Sequence, residues 1–239
     1  MLKKLLSPPT IDWQGKFQQK LKVITHKVLR DYYATPLPLG NTPIGEVEFL
    51  AMDFETTGLN PDKDDIISIG TVPFNLQRIF INRAQSWTVR PREKLAEESV
   101  IIHGITHTDI LDAPDLSAIF EQVLQEMAGK IIVVHCHQIE RKFFETALMA
   151  RINKGIEFPV VDTMALESSI QRQQYGGVWN RLKGTKPQSI RLGSSRHRYG
   201  LPAYSPHHAL TDAIATAELL QAQIAHHYKA TSAIDNFWQ

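Results

Sequence analysis

The stretch Val47-Glu48-Phe49-Leu50-Ala51-Met52-Asp53-Phe54-Glu55 constrains this chain more than any other. It is apolar enough to be a buried strand, yet it ends on two carboxylates spaced two residues apart. Alternate residues of a strand leave the same face, so Asp53 and Glu55 converge while Phe54 points the other way into packing. Two anions held together at the end of a buried strand are costly unless a cation neutralises them. Hard divalent ions with oxygen ligands, Mg²⁺ or Mn²⁺, suit that role. Taken alone, an Asp-x-Glu pair is equally well a solvated strand end. The following Thr56-Thr57-Gly58 supplies a turn whose amides and hydroxyls a substrate can meet.

Around this strand the pattern predicts an α/β fold. Ile66 to Val72 and Phe80 to Val89 read as two more strands, with turn residues between them. Three strands before any long helix predict antiparallel neighbours. Leu116 to Met127 has helical periodicity and Lys130 to His135 is a short apolar strand. Ile139 to Arg151 is a helix with Phe143, Phe144, Ala147 and Leu148 inward. Val160 to Asp162 is a strand, Met164 to about Gln173 a helix, and His208 to Tyr228 the last helix. The order β-β-β-α-β-α-β-α-loop-α gives a mixed sheet with helices on its faces.

Two regions lie outside that alternation. Phe17, Leu21, Ile24, Val28 and Tyr32 fall at three- and four-residue steps, which predicts one amphipathic helix. Lys16, Lys20, Lys22, Lys27 and Arg30 sit among them. Pro36, Pro38, Gly40 and Pro43 then mark a linker, so residues 1–45 read as an extension. Residues 174–206 are rich in loop formers and contain no Asp or Glu. They carry Arg181, Lys183, Lys186, Arg191, Arg196 and Arg198, with Tyr175, Trp179, Tyr199 and Tyr204 among them. Such a stretch reads either as an ordinary surface excursion or as a clamp for a phosphate backbone, with aromatic rings for unpaired bases. On the clamp reading, neutralising Arg196 and Arg198 is expected to weaken binding.

Two further elements offer acids. Glu140 falls in the first turn of the helix after Lys130–His135, where by itself it reads as an acid favoured by the helix dipole. His207 and Asp212 open the last helix. Five residues apart, they share a face only if His207 lies in the preceding loop, where its imidazole can take a proton from a water.

With these elements in place, the chain resembles the DEDDh 3′→5′ exonuclease superfamily, to which bacterial proofreading subunits belong. The resemblance covers about residues 46–228. It rests on Asp53-Phe54-Glu55-Thr56-Thr57-Gly58-Leu59, on the spacer Ile102-His103-Gly104-Ile105-Thr106, and on His207 with Asp212. The family's second motif is usually His-Asn-Ala-x-Phe-Asp. Here it reads His135-Cys136-His137-Gln138-Ile139-Glu140, with Glu140 for the expected Asp.

The resemblance implies a ribonuclease H-like sheet flanked by helices, an exonuclease domain over 46–239, and hydrolysis from the 3′ end of DNA. It implies two divalent ions, held by Asp53, Glu55, Glu140 and Asp212, with His207 as general base. In such sites the ions stand about 3.5–4 Å apart. Thr56, Thr57, His103 and Thr106 are the expected substrate contacts. The expected partners are single-stranded DNA 3′ ends and a DNA polymerase subunit. RNA 3′ ends, or a nucleic-acid-binding module that has lost catalysis, remain as alternatives.

Composition bears on what is left. A formal net charge of +1 argues against a purely electrostatic nucleic-acid binder. The single cysteine, Cys136, cannot form an internal disulfide, and no apolar run nears the ~20 residues of a membrane span, so a cytoplasmic location is expected. His135 and His137 alternate on a strand and invite a zinc reading, but no second Cys or His cluster supports it.

Overall fold

The computed structural model describes residues 10–92, 107–175 and 188–239. The middle strand, β1 (Phe49–Thr56), contains the apolar run that dominates the sequence, and it is buried almost throughout. On one side it pairs antiparallel with β2 (Ile66–Phe74), which pairs antiparallel with β3 (Gln85–Thr88). On the other side β1 runs parallel to β4 (Ile131–Val134), and β4 runs parallel to β5 (Val160–Asp162). The five-stranded order is β3-β2-β1-β4-β5. The sheet is therefore mixed, with the expected antiparallel strands at one end.

Helices cover it. α3 (His107–Leu111) and α4 (Leu116–Met127) precede β4, and α5 (His137–Ile152) links β4 to β5. α6 (Thr163–Tyr175) follows β5 without a break, α7 (Leu192–Arg198) lies in the stretch read as loop, and α8 (Ala209–His227) ends the helical set. The side chain of Asp115 caps α4 by accepting from the Ser117 amide, and Arg151 of α5 clamps the same carboxylate at 2.8 Å. No helix among the described residues is long and apolar enough to cross a membrane.

The single N-terminal helix expected from the Phe17–Tyr32 spacing is two: α1 (Trp13–Val23) and α2 (Lys27–Ala34). The chain turns extended at Ile24, beside Thr25, where β-branched side chains disfavour continuing the helix. Folding back lets Phe17 meet both Tyr32 and Tyr33, at ring distances of 5.5 and 4.9 Å. Trp13, Phe17, Leu29, Tyr32 and Tyr33 all join the buried cluster that contains the sheet. Part of the basic face is occupied, because Lys16 and Lys20 both pair with Glu157. Beyond α2 the chain lies against the C-terminal segment, with the Ile44 and Gly45 amides donating to Ser232 and Ala230 carbonyls.

The strand expected over Phe80–Val89 is shorter than its composition suggests. A 3-10 turn occupies Ile81–Arg83, and the Phe80 ring lies against Arg78 and Arg83, so only Gln85–Thr88 pairs with β2.

Candidate active site

β1, β4 and β5 are parallel, so their C-terminal ends share one edge of the sheet, where crevices for ligands form in open α/β sheets. Asp53 and Glu55 lie at that edge. They face alternate partners on β2, Asp53 opposite Gly70 and Glu55 opposite Ser68, and the register slips immediately after Glu55. Phe54 packs the other way, against Phe144 at 5.9 Å.

The third carboxylate arrives on α8. Small residues make up much of the buried face of its first turns, Ala209, Ala213 and Ala217, and let the helix lie close to the sheet. Gly70 completes the approach. A Cβ there would sit 2.3 Å from the Ala209 carbonyl carbon and the Leu210 nitrogen. Since Gly70 is also the partner of Asp53, the start of α8 is laid over the acidic end of β1. Oxygens of Asp53, Glu55 and Asp212 consequently lie within 4.8 Å of one another, the single such group among the described residues.

His207 stands before α8, as the five-residue offset requires. Its backbone is left-handed at φ 68°, a conformation that histidine adopts more readily than most residues. From there its amide donates to Asp212 Oδ2 at 3.0 Å, which orients the carboxylate much as a capping interaction does. The imidazole belongs to an exposed residue at the rim of the cluster.

Glu140 enters from the first turn of α5 and is 3% exposed. Its Oε2 has no hydrogen-bond partner among the described residues. Four acids thus converge from three elements, and their protonation reflects it. Burial, then Glu140, Asp212 and Glu55, push Asp53 well above the usual carboxylate range. Burial and Asp212 raise Glu55 to about 7, against the opposing field of His207. Burial raises Glu140 to about 8. Asp212 is raised by burial, with the His207 amide opposing. An unpartnered buried oxygen, three convergent carboxylates and raised pKa values fit the oxygen donors that a hard divalent cation prefers.

The Thr56-Thr57-Gly58 turn is tightly built. Thr56 Oγ1 donates to the Gly58 carbonyl at 2.6 Å, and Thr57 Oγ1 accepts from the Asp65 amide at 2.9 Å. A Cβ on Gly58 would meet the Asp64 carboxylate at 2.5 Å, so a larger residue there would have to displace that side chain. His103 and Thr106 lie outside the described residues.

The zinc reading of the second motif is not supported. Both ring nitrogens of His135 are engaged, Nδ1 with the Thr163 hydroxyl at 2.8 Å and Nε2 with the Ile190 carbonyl at 3.1 Å. Burial holds that ring down to about 4, hence neutral. His137 is bound through Nδ1 to Asp162 at 2.6 Å. The two imidazoles serve different partners, and neither joins a metal-ligating group among the described residues. Burial raises the Cys136 thiol, which makes it a poor nucleophile.

The clamp reading of Arg196 and Arg198 is corrected. Arg196 is buried and donates to the Ala215 and Pro202 carbonyls at 2.7 and 2.9 Å, with Glu218 at 2.7 Å. Arg198 holds the buried Glu167. Neither guanidinium is available to a phosphate. Trp179, Arg181, Lys183 and Lys186 lie outside the described residues.

Sequence reasoning missed Gly70. Its signal is a glycine inside a strand rich in β-branched residues, which marks a close approach of another backbone.

Comparison with known proteins agrees with this geometry. The family described as "Exonuclease", of the RNase T type, matches residues 50–220. The chain is 27% identical over 183 residues to DNA polymerase III subunit epsilon of Treponema pallidum, covering 77% of this chain and 79% of that protein. It is 28% identical over 179 residues to the PolC-type DNA polymerase III of Thermotoga maritima, covering 75% of this chain but 12% of that much longer protein. Among solved structures, cell-death related nuclease 4 superposes with a TM-score of 0.63 at 20% identity, over 79% of this chain and 67% of that one. The nuclease domain of 3′hExo, a DEDDh family member bound to rAMP, gives 0.60 at 17% identity, over 75% and 92%. The acidic cluster, the sheet that carries it and these matches together place the chain in the RNase T/DEDDh exonuclease family, homologous to the exonuclease domains of DNA polymerase III epsilon and PolC.

Proposed function

We propose that this protein is a metal-dependent 3′→5′ exonuclease that removes nucleoside monophosphates from single-stranded or frayed 3′ ends of DNA. The observation that carries the reading is the convergence of Asp53, Glu55 and Asp212 within 4.8 Å, beside a buried Glu140 with an unpartnered oxygen. The exonuclease family match supports the reaction class, and the epsilon relative supports DNA as substrate.

Asp53, between the other acids, would hold both of two divalent ions, Mg²⁺ or Mn²⁺. Glu55 and Asp212 would complete the site of one, and Glu140 that of the other. Bound there, the ions supply positive charge to the scissile phosphate and lower the pKa of a bound water. His207, exposed and outside the helix, would take the proton from the attacking water, while its amide keeps Asp212 aimed at the site. The Thr56–Gly58 turn offers backbone to the terminal nucleotide, and Leu59, 84% exposed beside it, offers an apolar face to a base. His103 and Thr106 extend that contact by family resemblance. Association with a polymerase subunit is part of the same proposal, after the Treponema relative.

The test is a time course on 5′-labelled single-stranded DNA and RNA with Mg²⁺ or Mn²⁺, then with EDTA. A ladder shortening DNA from its 3′ end, lost in EDTA and in Asp53→Ala, is expected. Shortening of RNA alone would transfer the reading to 3′-end trimming of RNA. No metal-dependent shortening of either would leave a binding module.

A further inference from the structure

A cavity of about 470 Å³ opens beside the acidic cluster, between α7 and the segment 201–207. His207 and Asp212 line it, so it communicates directly with the site. Leu192, Leu201, Pro202 and Tyr204 give it an apolar wall. Arg191 and His197 line it too, both exposed and without an ion pair among the described residues.

Tyr204 is the fixed part of that wall. The Arg196 guanidinium lies 4.5 Å from its ring centroid, and the Tyr204 hydroxyl donates to Glu218 at 3.0 Å. Arg196 is in turn locked by the Ala215 and Pro202 carbonyls and by Glu218. The arginine read from sequence as a phosphate clamp thus serves as the backing of an aromatic platform. A preformed cavity of this size with an aromatic wall, a few cations and a phosphate-handling cluster at one side has the chemistry of a nucleotide subsite.

We propose that this cavity receives the nucleotide next to the terminal one, the unit left on the polynucleotide after hydrolysis, with its base against Tyr204 and Leu201. Glu55 runs straight into the Thr56–Gly58 turn, whereas Asp212 and His207 are shared with the cavity, so turn and cavity adjoin different members of the cluster. A strand whose scissile phosphate lies on the cluster therefore has the turn on one side for the terminal nucleotide and the cavity on the other for its neighbour. Arg191 and His197 meet the phosphate that follows.

The inference rests on the exonuclease reading, and its test separates the two. Two substrates are compared: an oligothymidylate, and the 4-nitrophenyl ester of thymidine 5′-monophosphate, which has no second nucleotide. The variants are Tyr204→Leu, which removes the ring, and Ala203→Trp, which fills the cavity from an exposed position on its lining. Circular dichroism and melting temperature verify that each folds. The ratio of kcat/KM for the oligonucleotide to that for the ester is expected to fall about tenfold in both variants, the loss of about one base–aromatic stack. A wild type that cleaves both substrates, with variants that keep its ratio, overturns the subsite and leaves the exonuclease. A wild type that cleaves neither overturns the exonuclease reading and the subsite with it.

Discussion

Glu140 and Glu167 are both buried glutamates, 3% and 2% exposed, on neighbouring helices of one molecule. Burial alone would raise both. At Glu167 the opposing donors win: Gln223, Tyr199 and Arg198 all bond its carboxylate, at 3.0, 2.9 and 2.9 Å, and hold it below the ordinary range. At Glu140 one oxygen has no partner among the described residues, and the group is pushed up to about 8. The first is a finished electrostatic unit that ties α6, α7 and α8 together. The second, with Asp53, Glu55 and Asp212, is an acidic cluster short of donors, which the proposed function completes with cations. What most separates structure from site is therefore the supply of donors, since both side chains are almost fully covered from solvent.

That contrast breaks most visibly at Asp53. Asp53→Asn removes the carboxylate shared by the whole cluster and is expected to lower the hydrolysis rate by at least about 10³-fold, roughly 4 kcal/mol of barrier. The metal-free variant should melt no lower than the wild type, because repulsion among the acids is relieved. Activity assays with a parallel thermal melt check both halves.

The converse is expected at the finished unit. Arg198→Met leaves Glu167 buried without its cation and should cost about 3 kcal/mol in urea unfolding. Affinity for Mn²⁺ should be unaffected, and a large change there would join the two regions that the comparison separates.

Gly70→Ala sharpens the comparison by moving a wall rather than a ligand. The added methyl meets the backbone of Ala209 and Leu210, so α8 must shift and carry Asp212 from its partners. Mn²⁺ affinity is expected to fall about tenfold, roughly 1.4 kcal/mol, measured by calorimetry on protein whose circular dichroism is retained.

The smallest effect is expected at Glu140→Asp, which shortens the side chain and keeps the charge. The rate should stay within about fivefold, roughly 1 kcal/mol, of the wild type. Glu140→Gln should lose more, because the charge facing Asp53 is gone. Equal rates in both variants would make Glu140 a bystander.

Much of this was legible in the chain. The helix Leu116–Met127 and the strand Val160–Asp162 have the bounds their periodicity predicts, because each forms a complete local unit. That Asp53 and Glu55 share a face was readable from strand alternation, though alternation left a solvated strand end equally open, and the loop position of His207 followed from the need to face Asp212. What was hidden depends on tertiary partners. The apolar period runs through Ile24, and only the tilted and edge-on contacts of Phe17 with Tyr32 and Tyr33 show the chain doubling back. Arg196 and Arg198 lie in a stretch without acids, but Glu218 and Glu167 reach them from α8 and α6. A charge run shows where cations are, and the fold decides which of them are already spent.

The most direct measurement is the thermal response of the metal-free protein to Mn²⁺ at pH 6 and pH 8. Glu55 at about 7 and Glu140 at about 8 are raised above the ordinary glutamate value of 4.5. Groups raised on folding stabilise the metal-free fold at acid pH, and that stability is lost as pH rises through the folded values. The metal-free melting temperature should therefore fall between pH 6 and pH 8. Mn²⁺ should restore it, more strongly at pH 8, where binding displaces fewer protons. Asp53→Asn should show neither the fall at full size nor the restoration. A wild type indifferent to Mn²⁺ at pH 8, or an Asp53→Asn variant that responds to it equally, would contradict the assignment of these acids as a cation site.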